Sequence, residues 1–132
     1  MRILVDTNIL FSAILFPHSK PAQALLHIAT HHTIVLCEQN LTELRDILQR
    51  KAPQFLPADE ALLAEMSYEQ IPPIEHAEKQ IRDTKDQPIL NAAVVYHVDI
   101  ILTGDKDFLS LEMNHPTPMT ATQFLTLHGM EK

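Results

Sequence analysis

Four acidic residues occupy positions in this chain from which they could act together in one chemical site. Asp6 directly follows a short apolar run, and Asp105 closely follows another. Asp86 opens a long apolar segment, and Glu43 lies among leucines at helical spacing. Carboxylate oxygens gathered from distant parts of a chain are the ligands that hard divalent cations prefer. The pattern therefore predicts an acidic metal site.

Electrostatic repulsion limits what such a site can be. Two carboxylates about 4 Å apart repel each other by about 4 kcal/mol at an effective dielectric constant near 20. A bound cation offsets this repulsion, and ligands that are oxygen alone favour Mg²⁺ or Mn²⁺ over Zn²⁺. A magnesium ion that keeps several waters suits phosphoryl chemistry, because it can orient and activate a water for in-line attack.

Strands are predicted where they would bring these acids to one edge of a sheet. Arg2–Val5 is rich in branched apolar residues, which is typical of a strand buried on both faces of a parallel sheet. Further strands are predicted at residues 33–36 and 99–103, and strands that alternate with helices indicate an α/β domain with a mostly parallel sheet. Asp6 and Asp105 follow the carboxyl ends of two such strands, where open α/β folds place their sites.

Helices fill most of the remaining chain. Ser19 is the predicted N-cap of a helix that ends near His31, and Thr120 with Gln123 has the form of a capping box. Asp86 begins a buried helix, whose positive N-terminal end favours an ionised carboxylate. Residues 71–74, with two prolines, predict only a short edge strand or a loop. The other helices are predicted at residues 41–50, 58–68, 89–97 and Ala121–Leu127.

Size and composition favour one domain spanning residues 1–132, with 45% hydrophobic and 20% charged residues. No apolar run approaches the roughly 20 residues of a membrane span, and no secretory signal pattern follows Met1, so we expect a soluble, cytoplasmic protein. Cys37 is the single cysteine, which excludes an intramolecular disulfide and a multi-cysteine metal cluster.

The net charge limits how this protein could bind nucleic acid. A formal charge of −7 argues against a broad basic binding surface, so a role on nucleic acid would need local positive groups. Lys85 and Lys106 lie beside Asp86 and Asp105, and both could contact phosphates. The two available glycines, Gly104 and Gly129, do not form a phosphate-binding glycine-rich loop.

Four motifs in the expected order give the chain a family resemblance. They are Leu4-Val5-Asp6-Thr7-Asn8, Leu41-Thr42-Glu43-Leu44, Arg82-Asp83-Thr84-Lys85-Asp86, and Ile101-Leu102-Thr103-Gly104-Asp105-Lys106-Asp107-Phe108. With these motifs the sequence resembles the PIN-domain nucleases, in particular the VapC-like toxin components of bacterial toxin–antitoxin pairs.

The resemblance implies a PIN-like three-layer α/β/α sandwich and a Mg²⁺- or Mn²⁺-dependent endoribonuclease. It also implies a homodimer and a cognate antitoxin protein as partner. The implied acidic quartet is Asp6, Glu43, Asp86 and Asp105, of which Asp6, Asp86 and Asp105 would hold the metal. Asp107 resembles an auxiliary fifth acid, and Asn8 and Thr103 resemble residues that hydrogen-bond the acids.

Two positions depart from the family pattern. Gln87 stands where many relatives have a second acid after the third one, and Cys37 stands where many have a serine at the start of the helix. The first departure bears on how a second metal would be held. The second removes a hydroxyl that could cap the helix.

Other interpretations of these residues remain open. Asp83 is the alternative third ligand, and His27 with His31 has the spacing of a helical zinc pair but lacks an evident third ligand. An aspartate-dependent phosphohydrolase or phospho-acceptor domain also places an Asp at a strand end. The phosphohydrolase normally needs a second Asp two residues later, where this chain has Asn8, and the phospho-acceptor would have no use for Glu43. A non-catalytic module that binds RNA or protein is the third possibility.

Overall fold

Five strands form a parallel sheet at the centre of the computed structural model, which describes residues 1–75, 86–113 and 115–128. In chain order the strands are β1 (Arg2–Val5), β2 (Thr33–Cys37), β3 (Tyr68–Ile71), β4 (Ile100–Leu102) and β5 (Thr117–Met119). Their order across the sheet is β3-β2-β1-β4-β5, and each neighbouring pair is parallel. The predicted mostly parallel sheet is thus confirmed.

Seven helices and one short 3₁₀ helix (Pro53–Phe55) are present in the described part of the chain. The α-helices are α1 (Thr7–Leu15), α2 (Lys20–His31), α3 (Glu38–Lys51), α4 (Leu56–Glu65), α5 (Gln87–Val95), α6 (Lys106–Leu109) and α7 (Ala121–Leu127). Among the described residues, none of these helices is long and apolar enough to cross a bilayer.

The helices pack on both faces of the sheet. Side chains alternate along a strand, so Ile3 and Val5 of β1 enter one core with residues of α1, α2, α3 and α7, while Leu4 enters another with residues of α5 and α6. All three of these β1 side chains are fully buried. The molecule is therefore a three-layer α/β/α sandwich, as the family resemblance implies.

The sheet topology has a reversal at β1. From β1 the chain proceeds outward to β2 and β3, then returns to place β4 on the other side of β1. In open α/β sheets, the crevice at the carboxyl ends of strands beside such a reversal is the usual ligand site. Val5 pairs with Leu102 in the ladder, so the residues after them, Asp6 and Thr103, leave the sheet side by side.

Four elements were not predicted from the sequence: α1, α6, the 3₁₀ helix and β5. Helix α1 directly follows β1 and is apolar on several sides. Ile9 and Leu10 are buried and other residues of the helix pack at the edge of the core, so its sequence lacks a clear amphipathic stripe. Strand β5 is three residues long and contains Pro118, which is compatible with its position at the edge of the sheet.

The region around β3 corrects a predicted boundary. Residues 58–68 were predicted as one helix, but α4 ends at Glu65 and Tyr68 already pairs with Ile34 of β2. Pairing with the sheet thus overrides the helical pattern at this point. Residues 71–74 were predicted as a short edge strand or a loop: the strand ends at Ile71 and residues 72–74 form a loop, because proline cannot donate to a sheet ladder.

Candidate functional site

One cavity of about 170 Å³ at the carboxyl edge of the sheet brings the four predicted acids together. Its lining residues are Asp6, Thr7, Asn8, Glu43, Ile47, Asp86 and Asp105. The acids come from four separate segments: the junction of β1 and α1, helix α3, the start of α5, and the start of α6. The cavity lies at the crevice that the sheet topology predicts.

Asp6 is the most buried acid of the cavity, with 6% of its surface exposed. Its Oδ1 accepts hydrogen bonds from the Thr7 backbone N–H (2.8 Å) and from Asn40 Nδ2 (3.2 Å). Its Oδ2 accepts one from the Thr103 hydroxyl (2.8 Å). The Asp6 side chain is also the N-cap of α1, so three donors from three segments fix its orientation.

The surroundings of Asp6 disfavour its negative charge. Burial raises the pKa of the Asp6 carboxyl above its ordinary value, and the carboxylates of Asp105 and Glu43 add to that rise. The hydrogen bonds from Thr103 and Thr7 oppose it, but they do not cancel it. A positive ion in the cavity would relieve both the desolvation and the repulsion between carboxylates.

Glu43 is half-buried on α3 and is held on both of its oxygens. Gln39 Nε2 donates to Oε1 (2.8 Å), and the Thr7 hydroxyl lies within hydrogen-bond distance of Oε2 (3.3 Å). The next residue, Leu44, is fully buried, which places Glu43 at the edge of the apolar face of its helix. Glu43 therefore lines the cavity without entering the core.

Asp105 is fixed by the turn that follows β4. Its backbone N–H donates to the Thr103 hydroxyl (3.0 Å), and its Oδ1 accepts from the Asp107 backbone N–H (2.8 Å) as the N-cap of α6. The Thr103 hydroxyl therefore connects the side chain of Asp6 to the backbone of Asp105. This bridge sets the spacing of the two acids at the ends of β1 and β4.

Asp86 is the N-cap residue of α5 and is buried, with 9% of its surface exposed. Its side chain makes no capping hydrogen bond to the helix, and it lines the cavity. Gln87, where many relatives have a further acid, donates through Nε2 to Asn91 Oδ1 (2.9 Å) along α5. The helix thus begins with one carboxylate at the cavity.

The other predicted site residues take different positions. Asn8 lines the cavity with an exposed side chain, and within the described residues it makes no hydrogen bond to the carboxylates. Asp107 is half-buried beside the cavity, and Lys106 is exposed on α6 and does not line it. Lys85 and the alternative ligand Asp83 lie outside the described residues.

Three polar residues that the sequence analysis did not assign complete the site: Thr7, Gln39 and Asn40. Thr7 and Asn40 are buried, and both contact Asp6 directly. Asn40 and Gln39 precede Glu43 by three and four positions, the separations that bring helical side chains together on one face. That spacing was the available signal for their involvement.

The residues of the cavity suit a hard divalent cation. Their side-chain donors are carboxylate, hydroxyl and amide oxygens, with no histidine or cysteine in the lining. In the part of the chain that the structure describes, no three His, Cys, Asp or Glu side chains already form a ligand set for a metal ion. Mg²⁺ usually binds through one or two carboxylates plus waters, so the site fits it without such a set.

A second, larger concavity of about 380 Å³ lies between α1, α2 and α4, and it is mainly apolar. Its lining includes Ile14, Leu25, Leu26 and Leu62, and Glu65 is the one ionisable residue among those that line it in the described structure. Hydrolysis needs groups that move protons or bind ions, and one carboxylate in an apolar wall supplies little of either. The acidic cavity is therefore the better candidate for catalysis.

Comparison with known proteins agrees with this geometry. The family model of the PIN domain matches residues 2–107 of the chain. The crystal structure of VapBC2 from Rickettsia felis, bound to a DNA fragment from their promoter, contains a similar chain: the alignment covers 91% of this chain and 98% of that one, with a TM-score of 0.68 at 18% identity. No curated protein matches this chain. The structural match agrees with the predicted α/β/α fold.

Proposed function

This chain belongs to the PIN domain family, and from that premise we propose that it is an endoribonuclease that uses Mg²⁺ or Mn²⁺ to hydrolyse RNA phosphodiester bonds. The observation that carries the proposal is that Asp6, Glu43, Asp86 and Asp105 all line one cavity. Helix capping by Asp6 and by Asp105 accounts for two of these acids singly, but it does not account for four acids in one cavity, where their mutual repulsion destabilises the fold.

Asp6, Asp86 and Asp105 are the proposed metal ligands, and Glu43 completes the catalytic set. A divalent cation bound there would neutralise the developing charge on the phosphate and orient a water for attack. Asp6 is held ready by Thr7, Asn40 and Thr103, so little reorganisation would be required on binding. Glu43, with both oxygens engaged at the cavity wall, is suited to accept a proton or to orient water.

The hydrogen bonds of Asp6 argue against the alternative in which this residue is a covalent nucleophile. A nucleophilic carboxylate needs an oxygen that the phosphorus atom of the substrate can reach. Asp6 is 6% exposed, and both of its oxygens already accept hydrogen bonds. Its environment is better suited to a fixed ligand than to bond formation.

We propose that RNA contacts are local. The acidic net charge disfavours nonspecific attraction, so positive groups near the cavity would have to hold the backbone. Lys106, exposed on α6 beside Asp105, is one proposed phosphate contact, and Lys85 is the other. Asp107 on the same short helix is the proposed auxiliary acid.

We further propose that the chain is the toxin of a type II toxin–antitoxin pair, with a cognate antitoxin protein as its partner. In this proposal the chain forms a homodimer. Support comes from the family and from the fold shared with the VapBC2 complex, which was crystallised with promoter DNA. We expect the chain to co-purify with the protein encoded by a neighbouring reading frame. We also expect the complex of the two proteins not to cleave RNA. RNA cleavage by the complex at the rate of the isolated chain would contradict the antitoxin assignment.

An RNA digestion assay tests the enzymatic proposal. The wild-type protein should cleave a mixed set of RNAs in Mg²⁺ or Mn²⁺ but not in EDTA, and Asp86→Asn should abolish cleavage. Asp46→Asn removes an exposed carboxylate of α3 that does not line the cavity, and it serves as the matched control. Cleavage that persists in EDTA or in Asp86→Asn would refute the proposal.

A further inference from the structure

Asn40 is a fully buried polar residue of α3 whose side-chain amide contacts Asp6, one of the acids that line the cavity. We propose that Asn40 is a positioning residue, which holds Asp6 in the orientation that presents its Oδ2 to a divalent cation. This inference rests on the proposed function, because it concerns the same site. It assigns a role to a residue outside the acidic quartet.

Both amide hydrogens of Asn40 are directed at the site. Nδ2 donates to Asp6 Oδ1 (3.2 Å) and to the Thr7 hydroxyl oxygen (3.0 Å). The opposite orientation of the amide would place its oxygen against the carboxylate oxygen of Asp6, two acceptors facing each other. The carboxylate of Asp6 therefore fixes the orientation of Asn40, and Asn40 in turn restrains the carboxylate.

Through Thr7 the same amide connects two acids of the site. The Thr7 hydroxyl accepts from Asn40 and lies 3.3 Å from Glu43 Oε2, within range to donate to it. The connection runs from Asp6 through Asn40 and Thr7 to Glu43, all through side chains. A change at Asn40 should therefore affect the relative placement of Asp6 and Glu43.

The hydrogen bonds on Asp6 are distributed unevenly. Oδ1 accepts from two donors, Thr7 N–H and Asn40, whereas Oδ2 accepts only from Thr103 among the described residues. A carboxylate has about four lone-pair sites, two on each oxygen. The free one is therefore on Oδ2, and Asn40 is the donor that completes the occupation of Oδ1.

Stability alone does not account for an asparagine at this position. The other end of its amide, Oδ1, is buried and has no hydrogen-bond partner in the described structure. An unpaired buried oxygen is unfavourable, and leucine has a similar volume without that oxygen. Retaining asparagine is expected where its donor end has a function that a hydrocarbon cannot supply.

Asn40→Leu tests the proposal by three measurements on the full chain: Mn²⁺ affinity by electron paramagnetic resonance, the kcat and KM of RNA cleavage, and the melting temperature. We expect Mn²⁺ affinity and kcat each to fall about 10- to 100-fold, the usual effect of losing a residue that orients a ligand. KM for RNA should change little. The melting temperature in EDTA should fall by no more than in Thr103→Val, because each variant removes a donor to Asp6 but Asn40→Leu also removes an unpaired buried oxygen.

Asn40→Asp provides a second, isosteric test. It keeps the shape of the side chain but replaces the donor facing Asp6 with another acceptor, so Mn²⁺ affinity should fall at least as far as in Asn40→Leu. Asn91→Leu is the matched control, because Asn91 is also a buried asparagine but donates to the Ile74 carbonyl instead of to an acid of the cavity. Its Mn²⁺ affinity should match the wild type.

The outcomes separate this inference from the proposed function. Wild-type affinity and kcat in Asn40→Leu, or tighter Mn²⁺ binding in Asn40→Asp, would each overturn the positioning role and leave the nuclease proposal intact. A wild-type protein that neither binds Mn²⁺ nor cleaves RNA would overturn both.

Discussion

The Thr103 hydroxyl lies 2.8 Å from Oδ2 of Asp6 and donates a hydrogen bond to it. The same hydroxyl accepts from the backbone N–H of Asp105 at 3.0 Å. One buried side chain therefore joins the acid at the end of β1 to the acid after β4. The geometry of the two carboxylates therefore depends on this hydroxyl as well as on the strands.

Thr103→Val should impair both stability and catalysis. Valine keeps the volume but leaves Asp6 Oδ2 and the Asp105 N–H without their partner, which should lower the free energy of unfolding by about 1–3 kcal/mol. RNA cleavage should fall about 10- to 100-fold. Thr103→Ser, which retains the hydroxyl, should keep most of the wild-type activity. Equal activity in the valine and serine variants would contradict this role.

Asp6→Asn should make the metal-free protein more stable while abolishing cleavage. Burial and the nearby Asp105 and Glu43 carboxylates raise the pKa of Asp6, so its folded-state ionisation weakens the fold as pH rises above the ordinary value. At neutral pH an uncharged amide removes that unfavourable charge. Thermal unfolding in EDTA should show a higher melting temperature than the wild type.

Added metal should reverse that order. Mg²⁺ or Mn²⁺ at about 100 times its dissociation constant would stabilise the wild type by about 2.7 kcal/mol, on the order of 10 °C for a domain of this size. The Asp6→Asn variant should gain much less. Equal metal-induced shifts in the two proteins would show that Asp6 is not a ligand.

Glu43→Gln should reduce cleavage by at least about 100-fold with little effect on stability. The amide keeps the size of the side chain and one acceptor oxygen, so contacts with Gln39 and Thr7 can largely persist. It cannot accept a proton as a carboxylate does. Glu38→Gln, an exposed change at the start of the same helix, should leave the rate unaltered. The measurement is the kcat of each variant on one RNA substrate, and a wild-type kcat in Glu43→Gln would contradict the prediction.

A group of histidines should make the stability of this protein depend on pH. Burial lowers the pKa of His27, and the nearby His31 and His128 lower it further. His27 stacks on His31 with ring centroids 4.4 Å apart, and it also contacts the rings of His32 and Phe124. Folding therefore favours the neutral form of His27, which is buried on α2.

Stability should fall as the solution is acidified below pH 6.5, the ordinary pKa of histidine. In that range the unfolded chain takes up protons that the folded chain resists, so the loss continues until the lowered folded-state pKa is passed. The slope is at most about 1.4 kcal/mol per pH unit for each histidine. His27→Leu should flatten the profile measured by denaturant titration, whereas the exposed His18→Leu should retain it.

The layers of the fold could be predicted from the sequence because their signals are strong and local. The buried run of β1, the Ser19 cap of α2 and the Thr120–Gln123 capping box each specify an element without tertiary information. Tyr68 shows the limit of this approach. Its helical neighbours suggest a helix, but pairing with β2 determines its conformation.

The site shows a similar division. Asp6 and Asp105 could be placed because strand ends share one edge of a parallel sheet, and Glu43 because of its position on an amphipathic helix. The buried hydrogen bonds of Asn40 could not be predicted, since they depend on how α3 is rotated against β1. Neither could the exposed position of Asn8, which depends on helix α1 directly following Asp6.

Anomalous diffraction from crystals of the wild-type protein grown with Mn²⁺ tests the central claim most directly. We predict a manganese peak in the acidic cavity, about 2.0–2.6 Å from a carboxylate oxygen of at least one of Asp6, Asp86 and Asp105. The peak should disappear in Asp86→Asn. A wild-type map without manganese in that cavity, or with manganese only elsewhere on the molecule, would contradict the account.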